Sequence, residues 1–173
     1  MNIFPIEYDR NGNIDWELSA NSQDNYRVVK MILESAQMLC TALNELSGEQ
    51  IATYRSTHKN HPSNKWVRAS SANWLTLHEH CWALCREYRR RFKNKTHKCE
   101  AVLDDCMSKF DESLFPDNKI TQLPLCMPDE FKSDDVVDSY RRYYASKPRM
   151  RYPKDKIPKW FIKYRNNVPF DAV

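Results

Sequence analysis

Apolar residues recur at three- and four-residue spacing from Val29 through Ile32, Leu33, Ala36, Leu39, Cys40 and Leu43 to Leu46, the period of a helix with one buried side. Asn21 or Ser22 offers a side-chain oxygen to cap this helix and Gly48 offers its stop, so the spacing predicts a helix running to about Leu46. A second helical stretch follows a cap at Ser63 and reaches Phe92, with a break at Ser70 and Ser71 and with Trp74, Leu77, Cys81, Leu84, Cys85 and Tyr88 inward. Thr96 opens a third, about His97 to Phe110, whose inward residues are Cys99, Val102, Leu103, Cys106 and Phe110. Ser133 caps a fourth, with Asp134 and Asp135 at its positive end and Arg141 and Arg142 at its negative end.

Punctuation between these stretches completes the plan. Asn2 to Tyr8 reads as a short extended start and Asn11-Gly12 as a turn, while Pro116, Pro124 and Pro128 mark a long connection. Pro148, Pro153, Pro158 and Pro169 exclude a long final helix, so the tail is expected to be extended. The fold class predicted is all-α: a single-domain bundle of about four main helices over residues 1–146, with a basic, Pro-rich tail over 147–173 laid on the same body.

Composition narrows the classes of function. A chain of 173 residues buries roughly two thirds of its unfolded surface and does not need disulfides. Its six cysteines fall mostly inside helical patterns, and no signal peptide or apolar run near the ~20 residues of a membrane span is present. The expectation is therefore reduced thiols in a cytoplasmic protein that does not enter a membrane. Only Gly12 and Gly48 are glycine, which excludes dinucleotide-binding and Walker-type loops, and no cofactor is expected. His80, Cys81, Cys85, His97 and Cys99 are zinc-ligand types, but they form no CxxC pair, and Cys81 with Cys85 fits one apolar stripe, so no metal is expected.

The net charge of +4 is unevenly spread. Up to residue 24 the chain carries Glu7, Asp9, Asp15, Glu17 and Asp24 against Arg10 alone. Between Arg55 and Arg68 the charged and titratable residues are Arg55, His58, Lys59, His61, Lys65 and Arg68, and from Arg86 to Lys98 seven Lys or Arg residues, Arg91 among them, face Glu87. The tail adds nine more from Arg142 to Arg165, interleaved with Tyr143, Tyr144, Tyr152, Trp160 and Tyr164. Cations alternating with aromatic rings suit a polyanion whose bases can stack.

Arg27, Lys30, Glu34 and Gln37 recur at i, i+3, i+7 and i+10, which places two cations, a carboxylate and an amide on one face of the first long helix. The stripe is either a solvated face or half of a site. As a site, Lys30 beside Arg27 would serve as an amine nucleophile and Glu34 would orient water or stabilise a cationic sugar. His58 and His61 precede a helix start, a position where free N–H groups favour phosphate. Arg27, Gln37, His58, His61, Lys65, Arg68 and Arg91 would hold phosphates, and Trp66 and Asn73 would frame a flipped base.

The segments NIF at 2–4, VVKMILESAQML at 28–39, THKNHPSNKWVR at 57–68, SANW at 71–74, ALCREY at 83–88, KTHK at 95–98, MPDEFK at 127–132 and PKWF at 158–161 together resemble a family of small proteins of tailed bacteriophages and some bacteria. More remotely, Arg27-x-x-Lys30-x-x-x-Glu34-x-x-Gln37, followed by His61-Pro62, Trp66 and Cys85 to Tyr88, is similar to the phage pyrimidine-dimer DNA glycosylases. That second resemblance implies an all-helical domain that flips a base and cleaves the glycosidic bond through an imine. Those enzymes use the amine of a small second residue, where this chain has Asn2. The phage family has histidines where this chain has Asn25 or Tyr26 and Leu43 or Asn44. The resulting expectation is a phage-type protein that processes DNA, in host-cell cytoplasm. The alternatives are a non-enzymatic accessory protein binding nucleic acid or a host protein, and an enzyme acting on free nucleotides.

Overall fold

Side-chain caps decide where the helices begin in the computed structural model, which describes residues 1–165 and the backbone of 171 and 172. Asp15 opens α1 (Trp16–Asn21) by accepting from the Leu18 amide, and Asp24 opens α2 (Asn25–Ser47) by accepting from that of Tyr26. The cap of α2 is thus Asp24, because α1 already occupies Asn21 and has Ser22 as its own C-cap. Gly48 ends α2 at φ +76°, a left-handed conformation that a Cβ would strain.

His61 caps α3 (Pro62–Ala69), displacing the expected Ser63, with Pro62 in the first turn where its missing N–H costs nothing. Ser70 then holds extended φ/ψ and caps α4 (Ser71–Arg91) through the Asn73 amide, so the expected break at 70–71 is a true helix boundary. At α5 (Cys99–Ser108) the cap position is Lys98 rather than the expected Thr96 and makes no side-chain cap bond, while the adjoining His97 Nδ1 accepts from the Cys99 amide at 3.2 Å and Glu100 Oε1 accepts from the His97 amide at 3.1 Å. Asp135, not Ser133, caps α6 (Val136–Ala145).

Helix α2 is the centre of the core, with α3, α4 and α5 packed around it and α1 against α4. Its buried side includes Val28, Met31, Ile32, Ser35, Ala36, Leu39, Ala42 and Leu43. Val29 and Leu33, expected inward, are instead 37% and 41% exposed. The buried side is the one that α4 packs on, where Cys81 Sγ donates to Ile32 O at 3.5 Å and Ser35 is buried, and Leu33 lies outside it. The N-terminal strand-like segment threads into the same core: Ile3, Phe4 and Ile6 are buried, with Phe4 edge-on to Tyr144 at 4.9 Å.

The connection between α5 and α6 is pinned by buried polar groups. Asn73 donates to Trp66 O at 2.8 Å and Thr121 Oγ1 at 2.7 Å, its Oδ1 accepts from the Thr121 amide, and Tyr140 OH donates to Pro124 O at 2.7 Å. Beyond α6 the chain is more structured than a plain extended tail. It forms β1 (Arg151–Tyr152), a 3-10 turn and α7 (Lys159–Tyr164), and β1 pairs in parallel with β2 (Asp171–Ala172). Tyr152 and Phe161 from this part are fully buried. The extended-tail expectation for residues 166–170 and 173 lies outside the described residues.

All six cysteines are free thiols, and Cys40 and Cys106 bring their sulfurs within 3.4 Å between α2 and α5. Among the described residues no three His, Cys, Asp or Glu side chains gather as metal ligands, and no helix is long and apolar enough to cross a membrane.

Candidate functional site

One turn separates Arg27 from Lys30 on α2, and the two side chains have opposite surroundings. Arg27 is 7% exposed. Its Nη1 lies 3.0 Å from Asp24 Oδ2 and 2.8 Å from Met150 Sδ, and Nη2 donates to Pro148 O at 3.3 Å. The same Asp24 oxygen accepts from Tyr144 OH at 2.7 Å, and the Arg27 guanidinium lies 5.5 Å from the Tyr144 ring centroid. Arg27 therefore joins α2 to α6 and the 148–150 segment, with its charge matched inside the protein.

Arg91 has a similar role. Its Nε lies 2.6 Å from Glu87 Oε1, its Nη1 donates to Asn25 Oδ1 at 3.1 Å and its Nη2 to Asn21 O at 2.8 Å. Glu87 is fully buried and also accepts from Lys156 Nζ at 2.9 Å. Burial pushes the Glu87 carboxyl up, but Lys156 and Arg91 outweigh it and hold the group below the usual carboxylate range.

Lys30 is 49% exposed and its Nζ lies 3.2 Å from Glu34 Oε1. The other Glu34 oxygen accepts from the Asn2 amide at 3.3 Å and lies 4.0 Å from the Met1 amino group. These groups line a cavity of about 120 Å³ that also includes Tyr26, Arg27 and Lys147. Asn2 Oδ1 is buried there and has no hydrogen-bond partner among the described residues. The carboxylate thus sits among three nitrogen-bearing groups, two of them amines, on the side of α2 that the core leaves open.

His61 stands near this cluster at the start of α3. Burial, then the Met1 amino group and His58, push its imidazole down, against the opposing pull of Glu34. The neutral ring thereby retains Nδ1 as the acceptor of the Ser63 amide at 3.2 Å. Gln37 is half-buried one turn beyond Glu34.

The remaining site residues expected from the sequence are scattered. His58 is exposed, with Nδ1 2.7 Å from Thr57 Oγ1. Lys65 is exposed on α3. Arg68 acts on Glu45, near the opposite end of α2 from Arg27, and its Nη1 is buried with no hydrogen-bond partner among the described residues. Trp66 and Asn73 are buried and hydrogen-bonded to Thr121, so they hold the α5–α6 connection. The structure brings together Lys30, Glu34 and the edge of His61, and separates them from Arg91, Arg68, Trp66 and Asn73.

Sequence reading missed Tyr26, Asn2 and Lys147 as lining residues. Tyr26 is 57% exposed, and with Val29 and Leu33 it makes an aromatic and aliphatic strip on the outer side of α2, beside the Lys30–Glu34 pair. The available signal was the width of the apolar pattern: Val28 with Val29 and Ile32 with Leu33 are adjacent pairs, and one helix face cannot bury both members of each. No family model, curated protein or solved structure matches the chain.

Proposed function

We propose that this chain processes DNA as a glycosylase-like protein, with Lys30 as the amine and Glu34 as its carboxylate partner. The observation that carries the reading is the placement of Glu34, 3.2 Å from Lys30 Nζ and 3.3 Å from the Asn2 amide, at a small surface cavity containing an unpartnered Asn2 Oδ1. The Asn2 amide fixes the orientation of the Glu34 carboxylate beside Lys30 Nζ, at a distance over which a proton can pass between them.

With one proton passed to Glu34, the free amine would attack C1′ of a flipped nucleotide as the glycosidic C–N bond breaks, and Glu34 would return that proton to the departing base. Loss of the amine proton to Glu34 and opening of the sugar ring with protonation of its ring oxygen give an imine, which water hydrolyses to return the amine. Glu34 also places negative charge beside the cationic sugar that forms on the way. The same reading gives a phage-type protein working in host-cell cytoplasm, with exposed cations of the surface and tail drawing in the phosphate backbone.

A second reading is supported by the half-exposure of Lys30, which keeps its ammonium in water. It is an accessory protein that binds nucleic acid, or a host protein, without chemistry. Borohydride trapping separates the two, because reduction fixes an imine as a permanent bond. Wild type should become covalently attached to abasic or base-damaged DNA, with the adduct mapped to Lys30 by peptide mass spectrometry. Lys30→Ala should abolish that adduct, and Glu34→Gln should bind but not turn over. Absence of any adduct on wild type leaves the binding protein.

A further inference from the structure

Adjoining the Lys30–Glu34 cavity, and sharing Tyr26 with it, is an open groove of about 500 Å³ lined by Asn25, Tyr26, Val29, Phe92, Arg149 and Arg151. Its floor is an exposed ring, an exposed aliphatic side chain and Phe92, and its rim is two exposed guanidinium groups. Neither Arg149 nor Arg151 has an ion-pair partner among the described residues. The contrast with Arg27 and Arg91 is informative, since those nearby arginines are consumed by Asp24 and Glu87.

An aromatic surface that stays open beside unpaired planar cations matches one chemistry closely: a base stacked on the ring and its flanking phosphates on the guanidiniums. We infer that this groove binds an unpaired nucleotide segment of single-stranded DNA, with Tyr26 stacking on a base and Arg149 and Arg151 holding the adjoining phosphates. Single-stranded DNA fits better than a duplex, because paired bases hide the faces that Tyr26 would cover. Two other grooves are larger, each about 580 Å³: Asp134 and Asp135 line one, and in the other Glu130 and Asp138 accompany the cations, with Arg142 Nε 2.7 Å from Asp138 Oδ2. The inference rests on the nucleic-acid reading above and names the form of DNA that enters its cavity.

The test uses the full chain, fluorescein-labelled oligo(dT) and, as a phosphate chain without bases, inorganic polyphosphate. Tyr26→Ala should weaken oligo(dT) binding about tenfold, the scale of one lost stack, while Tyr26→Phe keeps the wild-type affinity. Polyphosphate binding should be unchanged in Tyr26→Ala. Arg149→Ala and Arg151→Ala should each lower the salt dependence of oligo(dT) binding by about one phosphate contact. No oligo(dT) binding by wild type, wild-type affinity in Tyr26→Ala, or equal loss on polyphosphate would overturn the inference. If borohydride trapping fails while the Tyr26 dependence holds, the chemistry proposed above is lost and the groove assignment stands.

Discussion

Arg27 and Lys30 belong to one polar stripe in the sequence, yet one turn of helix separates a buried structural cation from a solvated one. Arg27 meets Asp24, a thioether, a carbonyl and the face of Tyr144, and is 7% exposed. Lys30 has Glu34 as its ion-pair partner and is 49% exposed. The difference arises in what packs over each position. The 148–150 segment and α6 cover the first turn of α2, whereas the second meets the N-terminal residues and Lys147 around a small open cavity. Cations enclosed by later chain become part of the fold, and those at the margin remain able to meet a ligand.

Breaking the enclosed side should give the largest effect. Asp24→Ala strands the Arg27 guanidinium and the Tyr144 hydroxyl without their acceptor, and Glu87→Ala does the same to Arg91 and Lys156. Each should cost about 3–5 kcal/mol in urea unfolding. A loss under about 1 kcal/mol for both would mean that these networks do not hold the tail to the helices.

Acid should destabilise the protein through enclosed histidines rather than through the surface cluster. Burial pushes His80 down from 6.5 to about 4, while its Nδ1 donates to Trp16 O at 2.9 Å, and burial also lowers His78 and His97. The unfolded chain takes up protons below pH 6.5 that folded His80 refuses until about pH 4. Stability is therefore fully present above pH 6.5 and falls as the pH drops towards 4, by about 3 kcal/mol for His80 alone. Thermal melts across this range should show the fall, and His80→Gln should flatten it. A pH-independent midpoint between 7 and 5 would contradict the burial argument.

The open side should be mild in stability and sharp in function. Lys30→Ala should shift the unfolding free energy by no more than about 0.5 kcal/mol, since a half-exposed pair with Lys preceding Glu is weak. The same substitution should remove the borohydride adduct. Arg27→Ala measured alongside sharpens the contrast: a cost similar to that of Lys30→Ala would erase the distinction between the two cations. The smallest effect should come from Leu33→Ala on the exposed side of α2, within about 0.5 kcal/mol, against about 2 kcal/mol or more for Ile32→Ala beside it.

The helical class and the longer helices were legible along the chain because local signals act locally, whereas the short α1 and α7 were not foreseen. Gly48 at a left-handed end, Pro62 in a first turn and Ser70 between two helices each carry a backbone preference that holds in any surrounding. Cap identity was less legible, as Asp24, His61, Lys98 and Asp135 each stand two residues from the expected Ser22, Ser63, Thr96 and Ser133. Several neighbouring side chains can cap, and the choice depends on where packing stops the helix.

The sequence by itself determined an all-α chain, its main helix centres and the presence of cations interleaved with aromatic rings, because period, turn residues and charge are properties of short stretches. Which side of α2 is buried required the tertiary structure, since Val28 and Val29 are equal in local propensity and differ only in that the rest of the chain packs over Val28 and leaves Val29 exposed. The same holds for the stripe of Arg27, Lys30, Glu34 and Gln37. Its spacing places four polar groups on one face, but the segment returning from more than a hundred residues later encloses Arg27 and leaves Lys30 beside Glu34 in water. Long-range burial sets the dielectric and the partners of each charge, and those decide whether a cation stabilises the fold or remains free to act.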